Sequence, residues 1–133
     1  MSIWLLILFS VAAAAVGVFL VGRYLKARRE DRMDTNEYNT AVALWEFSRT
    51  VKSRLADVKT GNTAVIDFST LSMPKGPGYR LSLELTCSGF SIWAVPRRYG
   101  RTGRLSFYVG NAASVRAMDR AGGPAEAGDP EYV

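Results

Sequence analysis

The hydrophobic pattern of the chain begins with a long apolar segment. The twenty residues from Ile3 to Gly22 include no charged residue and no proline. At about 1.5 Å of rise per residue, a helix of this length extends roughly 30 Å, which matches the hydrocarbon core of a membrane. The segment therefore predicts a single transmembrane helix, and we assign residues 1–24 to this anchor.

Two alternatives to a transmembrane anchor stay open for the apolar segment. A cleaved secretory signal is also apolar and N-terminal, but only Met1 and Ser2 precede the segment, where a signal peptide has a basic region. The second alternative is a buried helix of a soluble protein. Because the apolar run continues to Val21, well past the alanines at which a signal peptidase could cut, we expect a retained anchor.

One face of the predicted anchor has small side chains, and its positions recur at helical spacing. They are Ser10, Ala13, Ala14 and Gly17. Small side chains let a second helix approach closely in a membrane. We expect this face to pack against helices of integral membrane subunits; the alternative is that alanine is present only as a good helix former.

A basic juxtamembrane segment, residues 25–35, follows the anchor. The cations at and after the end of the apolar segment are Arg23, Lys26, Arg28, Arg29 and Arg32. Lys and Arg beside a span favour the cytoplasmic side, so the pattern predicts a cytoplasmic domain. The same charges are suited to contact anionic lipid headgroups.

Residues 23–60 include neither glycine nor proline, and their apolar side chains recur every three or four positions. The main stripe consists of Leu44, Phe47, Val51, Leu55 and Val58, with Tyr38, Ala41 and Trp45 beside it. This pattern predicts an amphipathic helix over about Asn36 to Thr60 that faces a core. Asp34 and Glu37 are spaced like a capping box, which favours a new helix start there; one uninterrupted helix is the alternative.

Beyond Gly61 the period of the pattern changes to two, which is typical of strands. The predicted strands are Thr63–Ser69, Tyr79–Cys87, Phe90–Val95 and Leu105–Val109, with Val115 and Ala117 as a possible short edge strand. Leu81, Leu83 and Leu85 are expected to face inward, with Cys87 as a core thiol. The predicted fold class is α+β, with the amphipathic helix packed on a four-stranded antiparallel sheet over residues 36–118.

Charge separates this domain from the C-terminal tail. Residues 61–118 include seven basic and two acidic side chains, whereas residues 119–133 include one basic and four acidic ones, and the whole chain has a net charge of +5. The tail is rich in glycine, proline and alanine and is expected to be extended and free unless a partner holds it. The asymmetry favours contact with an acidic surface or between the basic domain and its own tail.

A cluster of cationic side chains lies between the predicted strands that end at Val95 and begin at Leu105. It consists of Arg97, Arg98, Tyr99, Arg101 and Arg104. Arginine forks beside an aromatic ring are suited to phosphate, anionic lipid or acidic protein. No recognised nucleic-acid module accompanies the cluster, so we expect a partner or lipid contact; a solvated hairpin tip is the alternative.

The residue inventory argues against catalysis. The chain has no histidine and one cysteine, and its glycines do not match a nucleotide-binding loop. Asp67 and Glu84 alternate with apolar residues at positions expected to face solvent. We therefore expect a protein that is not an enzyme and that has no cofactor or metal.

Four stretches of the domain resemble the globular half of bacterial type IV pilins and pseudopilins. They are Tyr79–Leu83, Phe90–Pro96, Tyr99–Val109 and Arg116–Asp119. The most specific of them reads Tyr-Gly-x-Thr-Gly-x-x-Ser-Phe-Tyr, and the likeness extends over roughly residues 36–130. The resemblance implies a pilin-like fold and a protein of the bacterial inner membrane.

The N-terminal region departs from the pilin pattern. Pilins have a short basic leader and a glutamate near the start of the mature chain, whereas here no acidic residue lies between Met1 and Tyr24 and the basic residues follow the apolar segment. We therefore expect a pilin-derived domain within another membrane assembly. Self-assembly into a filament is the less favoured expectation.

These observations predict a non-catalytic, single-span accessory subunit of a larger membrane complex, such as an electron-transport, photosynthetic or secretion assembly. Its expected partners are integral membrane protein subunits and membrane lipids, and not nucleic acid. Two alternatives stay open: a pilin or pseudopilin of a type IV pilus or type II secretion-like filament, and a membrane-tethered binding module for anionic ligands.

Overall fold

The computed structural model describes residues 2–59, 74, 76–86 and 89–132, with the backbone alone for residues 58 and 59. One helix and four strands follow in chain order: α1 Ile3–Lys59, β1 Tyr79–Thr86, β2 Gly89–Pro96, β3 Leu105–Val109 and β4 Val115–Asp119. The chain forms two compact units, Met1–Arg32 and Met33–Val133. The predicted tail, residues 119–133, belongs to the second unit.

In the first unit α1 is long and apolar enough to cross a membrane, and none of its most apolar stretch is buried. The side chains from Ile3 to Leu25 are exposed on every face of the helix. A helix that is apolar on all faces is typical of a buried or membrane-embedded segment. The structure thus confirms the predicted apolar helix; its insertion in a membrane stays a proposal.

Helix α1 continues without a break through the Asp34–Glu37 spacing. The predicted capping box does not begin a new helix, and the alternative of one uninterrupted helix is confirmed. The segment has no glycine or proline to stop the helical hydrogen bonds. Glu37 instead directs its carboxylate to the sheet, where Oε1 accepts hydrogen bonds from the backbone N–H groups of Arg104, at 2.7 Å, and Leu105, at 3.1 Å.

The four strands form an antiparallel meander in the order β1-β2-β3-β4. Leu83 is opposite Ile92, Ala94 is opposite Phe107, and Val109 is opposite Val115. The strand predictions that begin near Tyr79, Phe90 and Leu105 are therefore confirmed, and the possible edge strand is a full strand, β4. The predicted strand Thr63–Ser69 and Cys87 lie outside the described residues.

The core of the second unit lies between α1 and one face of the sheet. Leu44 and Val51 of the helix are fully buried together with Ile92, Ala94, Phe107 and Val109 of the strands. Burying a side chain of this kind contributes roughly 1.5–3 kcal/mol, so this layer is the main stabilising feature of the domain. The predicted helix stripe is thus confirmed from Leu44 to Leu55.

Two aromatic residues expected beside that stripe face outward instead. Tyr38 is 62% exposed and Trp45 is 45% exposed. Around the helix axis, each of them lies roughly 100° from the stripe formed by Ala41, Leu44 and Val51. Their rings therefore point away from the sheet. The prediction that they contribute to the core is therefore wrong.

The inward phase predicted for the strand that begins at Tyr79 agrees with the register of the sheet. Leu81 and Leu83 pack against the core while remaining half-buried. Leu85 lies on the same face, because its cross-strand partner Phe90 is a core residue. The Leu85 side chain is nevertheless 40% exposed, so it faces inward without being buried.

The residues after β4, which we call the C-terminal strap (residues 120–132), cover the outer face of the sheet. Ser106 Oγ donates a hydrogen bond to the carbonyl of Gly123 at 2.6 Å, and Trp93 Nε1 donates to the carbonyl of Ala125 at 3.2 Å. Ala125 is buried at this contact. The strap therefore completes a second, polar packing layer on the face opposite α1.

The strap then turns around the edge of the sheet at β4. Ala117 N–H donates to the Pro130 carbonyl at 2.9 Å, and Tyr132 N–H donates to the Val115 carbonyl at 2.8 Å. The Tyr132 ring meets Phe107 edge-on, with centroids 5.3 Å apart. The tail expected to be free is thus held by its own domain, because its backbone satisfies the otherwise unpaired edge of β4.

Candidate functional site

One candidate for ligand or partner contact is the arginine loop, residues 97–104, between β2 and β3. Its backbone is closed by internal hydrogen bonds: Arg101 N–H and Thr102 N–H both donate to the Arg98 carbonyl, at 3.0 and 2.9 Å, and Gly100 N–H donates to the Gly103 carbonyl at 3.0 Å. Arg98 N–H donates to Thr102 Oγ1 at 3.1 Å. These bonds give the loop a defined conformation.

The arginine loop is also attached to its surroundings. Asn36 of α1 donates through Nδ2 to the Thr102 carbonyl at 2.9 Å. Arg97 donates through Nε to the Tyr79 carbonyl at 3.2 Å, and Arg97 N–H donates to the Gly78 carbonyl at 2.9 Å. Together with the Glu37 carboxylate, these contacts connect the loop to α1 and to the start of β1.

Close packing explains the glycines of this region. The Tyr79 side chain passes beneath Gly103 so that its hydroxyl can donate to the Leu105 carbonyl at 2.7 Å, and a Cβ at Gly103 would overlap that hydroxyl. Gly100 has φ of 73°, a conformation that favours glycine.

Burial raises the pKa of the Tyr79 phenol, and the Glu37 charge adds to the effect, so this side chain is a neutral structural donor.

The structure places the five predicted contact residues on this one loop, with different roles. Tyr99 is 46% exposed, and its hydroxyl donates to both carboxylate oxygens of Asp119, at 2.9 and 3.0 Å. That hydrogen bond raises the pKa of Tyr99. The Arg97 side chain is held by its hydrogen bond to the Tyr79 carbonyl. The side chains of Arg98 and Arg101 are exposed, and they form no ion pair with any carboxylate in the described part of the chain. Arg104 is exposed too, beside the Glu37 contact.

A second candidate is an open depression of about 530 Å³ that we call the aromatic groove. Tyr38, Val42 and Trp45 line it from α1, residues 112–115 from the β3–β4 turn, and Tyr132 from the C-terminal strap. The Arg49 guanidinium lies 4.9 Å from the centroid of the Trp45 ring. Burial raises the pKa of Tyr132, with the Glu37 charge as the next cause.

The aromatic groove was not predicted from the sequence. The sequence nevertheless contains a signal for it: Tyr38, Val42 and Trp45 are spaced at i, i+4 and i+7, so they form a second apolar line along the helix. Without the sheet there was no way to decide which of the two lines faces the core. The contribution of Tyr132 depends on the folding back of the strap.

The predicted residues of the first unit are all on its surface. Ser10, Ala13, Ala14 and Gly17 are exposed, and a Cβ added to Gly17 would meet nothing within 4 Å. Arg23, Lys26, Arg28, Arg29 and Arg32 are exposed too. The Arg23 guanidinium lies 5.8 Å from the centroid of the Phe19 ring. Both sets are placed where a partner helix or lipid can reach them.

Within the described ranges no group of three or more Cys, Asp or Glu side chains is placed to hold a metal ion. Comparison of the chain with known proteins found no matching family model, no similar curated protein and no similar solved structure.

Proposed function

We propose that this protein is a membrane-anchored, non-catalytic accessory subunit that docks on other integral membrane proteins of a larger complex. The apolar part of α1 serves as the anchor, and the domain after it presents the aromatic groove to a partner. We further propose that the anchor lies in the bacterial inner membrane and that the domain is cytoplasmic. The small-residue face, Ser10 to Gly17, contacts partner helices.

The observation that supports this proposal best is the aromatic groove. Tyr38 and Trp45 remain exposed although the domain core, from Leu44 to Val51, is complete without them. Large aromatic side chains are enriched where proteins bind proteins, because one rigid ring buries much apolar area with little loss of conformational entropy. An arginine stacked on the Trp45 ring adds a polar rim.

Site-specific photo-crosslinking tests the docking function. Benzoylphenylalanine introduced at Trp45 should crosslink, in native membranes, to a distinct integral membrane protein that also co-purifies in mild detergent. The matched control is the same residue at Glu84, which is exposed on β1. A chain that forms no crosslink from position 45 and purifies alone would contradict the proposal.

A pilin-like filament subunit is the second candidate, and a specific observation favours it. One uninterrupted helix, Ile3–Lys59, contains both the exposed apolar segment and the stripe that packs on an antiparallel meander. This is the arrangement that the resemblance to pilins implies. If the second candidate is right, crosslinks from position 45 should join copies of this chain, and electron microscopy should show filaments of it.

A further inference from the structure

We propose that the arginine loop is a binding site for phosphate groups, in which the guanidinium groups of Arg98 and Arg101 hold one phosphomonoester. The phosphate can belong to a lipid headgroup or to a soluble phosphate compound. This site is separate from the aromatic groove, and the proposal does not depend on whether the protein is a subunit of a complex.

Arg98 and Arg101 lie close together on the arginine loop, and neither forms an ion pair with a carboxylate among the described residues. Arg98 and Arg101 occupy the two ends of one β-turn, since Arg101 N–H donates to the Arg98 carbonyl. The Cα atoms at the ends of such a turn lie within about 7 Å of each other, so both side chains can reach one small anion. Like charges at this separation repel one another, and a bound anion removes that repulsion.

The carboxylates near the arginine loop form hydrogen bonds with other groups. The two oxygens of Asp119 accept hydrogen bonds from Tyr99, and Oδ1 also accepts one from Ala121 N–H at 3.1 Å. Glu37 Oε1 accepts the backbone N–H groups that begin β3. Neither is ion-paired with Arg98 or Arg101.

Hydrogen bonds fix the backbone of the arginine loop before a ligand binds. The turn is closed by its own backbone bonds and by Thr102 Oγ1, and Asn36 connects it to α1. An anion that binds a fixed loop loses less binding energy to ordering of the chain. Because only the two side chains have to be ordered, a small ligand can bind measurably.

Charge density favours phosphate over an acidic protein surface. A phosphomonoester has a charge of about −1.5 to −2 near neutral pH and three acceptor oxygens on one small group, whereas a side-chain carboxylate has a single charge. Arginine also forms paired, parallel hydrogen bonds with phosphate oxygens. Two forks from one turn therefore match one phosphate better than they match separated carboxylates.

The test uses the full chain in phosphatidylcholine nanodiscs, with glycerol 3-phosphate, a soluble phosphomonoester, as the soluble probe in a calorimetric titration. For the lipid source, native mass spectrometry of the full chain in detergent counts the phosphatidic acid retained in a mixture with phosphatidylcholine. The double variant Arg98→Gln/Arg101→Gln is compared with Lys52→Gln/Arg54→Gln, which removes the same charge from exposed positions of α1. Thermal unfolding checks that both variants are folded.

We expect the loop variant to bind at least one of the two probes about tenfold more weakly for each arginine removed, and the control variant to bind as the native chain does. Binding of the soluble probe by the native chain that is weakened in the loop variant identifies a soluble source, and phosphatidic acid retention that is weakened in it identifies a lipid source. Arg98→Lys/Arg101→Lys should restore part of the binding, since it keeps the charge and loses the fork. Equal binding by the loop and control variants, or equal competition by an acidic peptide, would overturn the proposal.

Discussion

At the scale of single residues, the arginine loop depends on close contacts that leave no room for a side chain. Gly103 lies directly over the buried Tyr79 ring, and the Tyr79 hydroxyl reaches the Leu105 carbonyl only through this gap. Gly128, in contrast, has open space around it. The two glycines thus offer a matched pair for testing how strictly the loop is packed.

We expect Gly103→Ala to lower the free energy of unfolding by about 2–4 kcal/mol, since overpacking costs about 1–3 kcal/mol and the Tyr79 hydrogen bond contributes about 1 kcal/mol more. Denaturant unfolding of the detergent-solubilised chain, followed by near-ultraviolet circular dichroism, measures the change. Gly128→Ala is the control and should stay within about 0.5 kcal/mol of the native chain. Adding Tyr79→Phe to Gly103→Ala should recover part of the lost stability. Equal stability of the two glycine variants would show that the loop shifts to accommodate the added methyl group.

At the scale of elements, the C-terminal strap is held by charge as well as by backbone bonds. Arg120 pairs with the buried carboxylate of Asp129, whose Oδ2 also accepts the Glu126 N–H at 2.8 Å. The hydrogen bond from Arg120, followed by that from Glu126, lowers the pKa of Asp129. The same pair raises the pKa of Arg120. Burial of the strap is thus linked to the ionisation of one carboxyl group.

The lowered pKa of Asp129 predicts how the strap responds to acid. Its folded-state pKa lies below the ordinary value of about 3.9, so the stabilisation is fully present above roughly pH 4 and is lost as the pH falls through the folded-state pKa. Asp129→Asn should therefore be less stable than the native chain at neutral pH, with a difference that shrinks below about pH 4. Thermal unfolding at several pH values measures it, with the exposed Glu131→Gln of the same segment as control. A difference that is independent of pH would show that the Arg120 pair does not hold the strap.

At the scale of the whole molecule, the sequence pattern predicts an anchored protein whose basic residues lie on the cytoplasmic side. The apolar helix is confirmed as an exposed helix of sufficient length, whereas its insertion and its orientation remain predictions. Arg23, Lys26, Arg28, Arg29 and Arg32 follow it, and the cost of moving such charges across the membrane is the physical basis of the orientation rule. Behaviour as an exported pilin would require the opposite orientation.

A single cysteine placed in the strap tests the orientation. In a Cys87→Ser background, Glu126→Cys provides an exposed thiol within the second unit. A membrane-impermeant maleimide should label it only after spheroplasts are permeabilised. Carbonate extraction and intact mass in the same preparation check that the chain is membrane-embedded and retains the apolar segment from Ile3 to Gly22. Labelling of intact spheroplasts would place the domain outside and favour the pilin candidate.

The sequence by itself determined the elements that depend on local periodicity. Uniform apolarity defines the helix from Ile3, the stripe from Leu44 to Leu55 defines the buried face, and alternation identifies strands β1 to β3. Each of these signals repeats over several turns or residue pairs, so an error at one position does not change the assignment. The grouping of Arg97, Arg98, Tyr99, Arg101 and Arg104 on one loop was also predictable, because a turn between two adjacent strands keeps them together.

Tertiary structure alone decided the features that join residues far apart in the chain. Whether Tyr38 and Trp45 face the core or the solvent depends on the position of the sheet, and the use of Glu37 as an acceptor for the start of β3 depends on contacts across 67 positions. The strap was expected to be free because its composition favours no regular structure, yet the open edge of β4 and the outer face of the sheet supply partners for its backbone. Local propensity cannot predict such contacts, because the free energy that stabilises them comes from surfaces that exist only after the chain has folded.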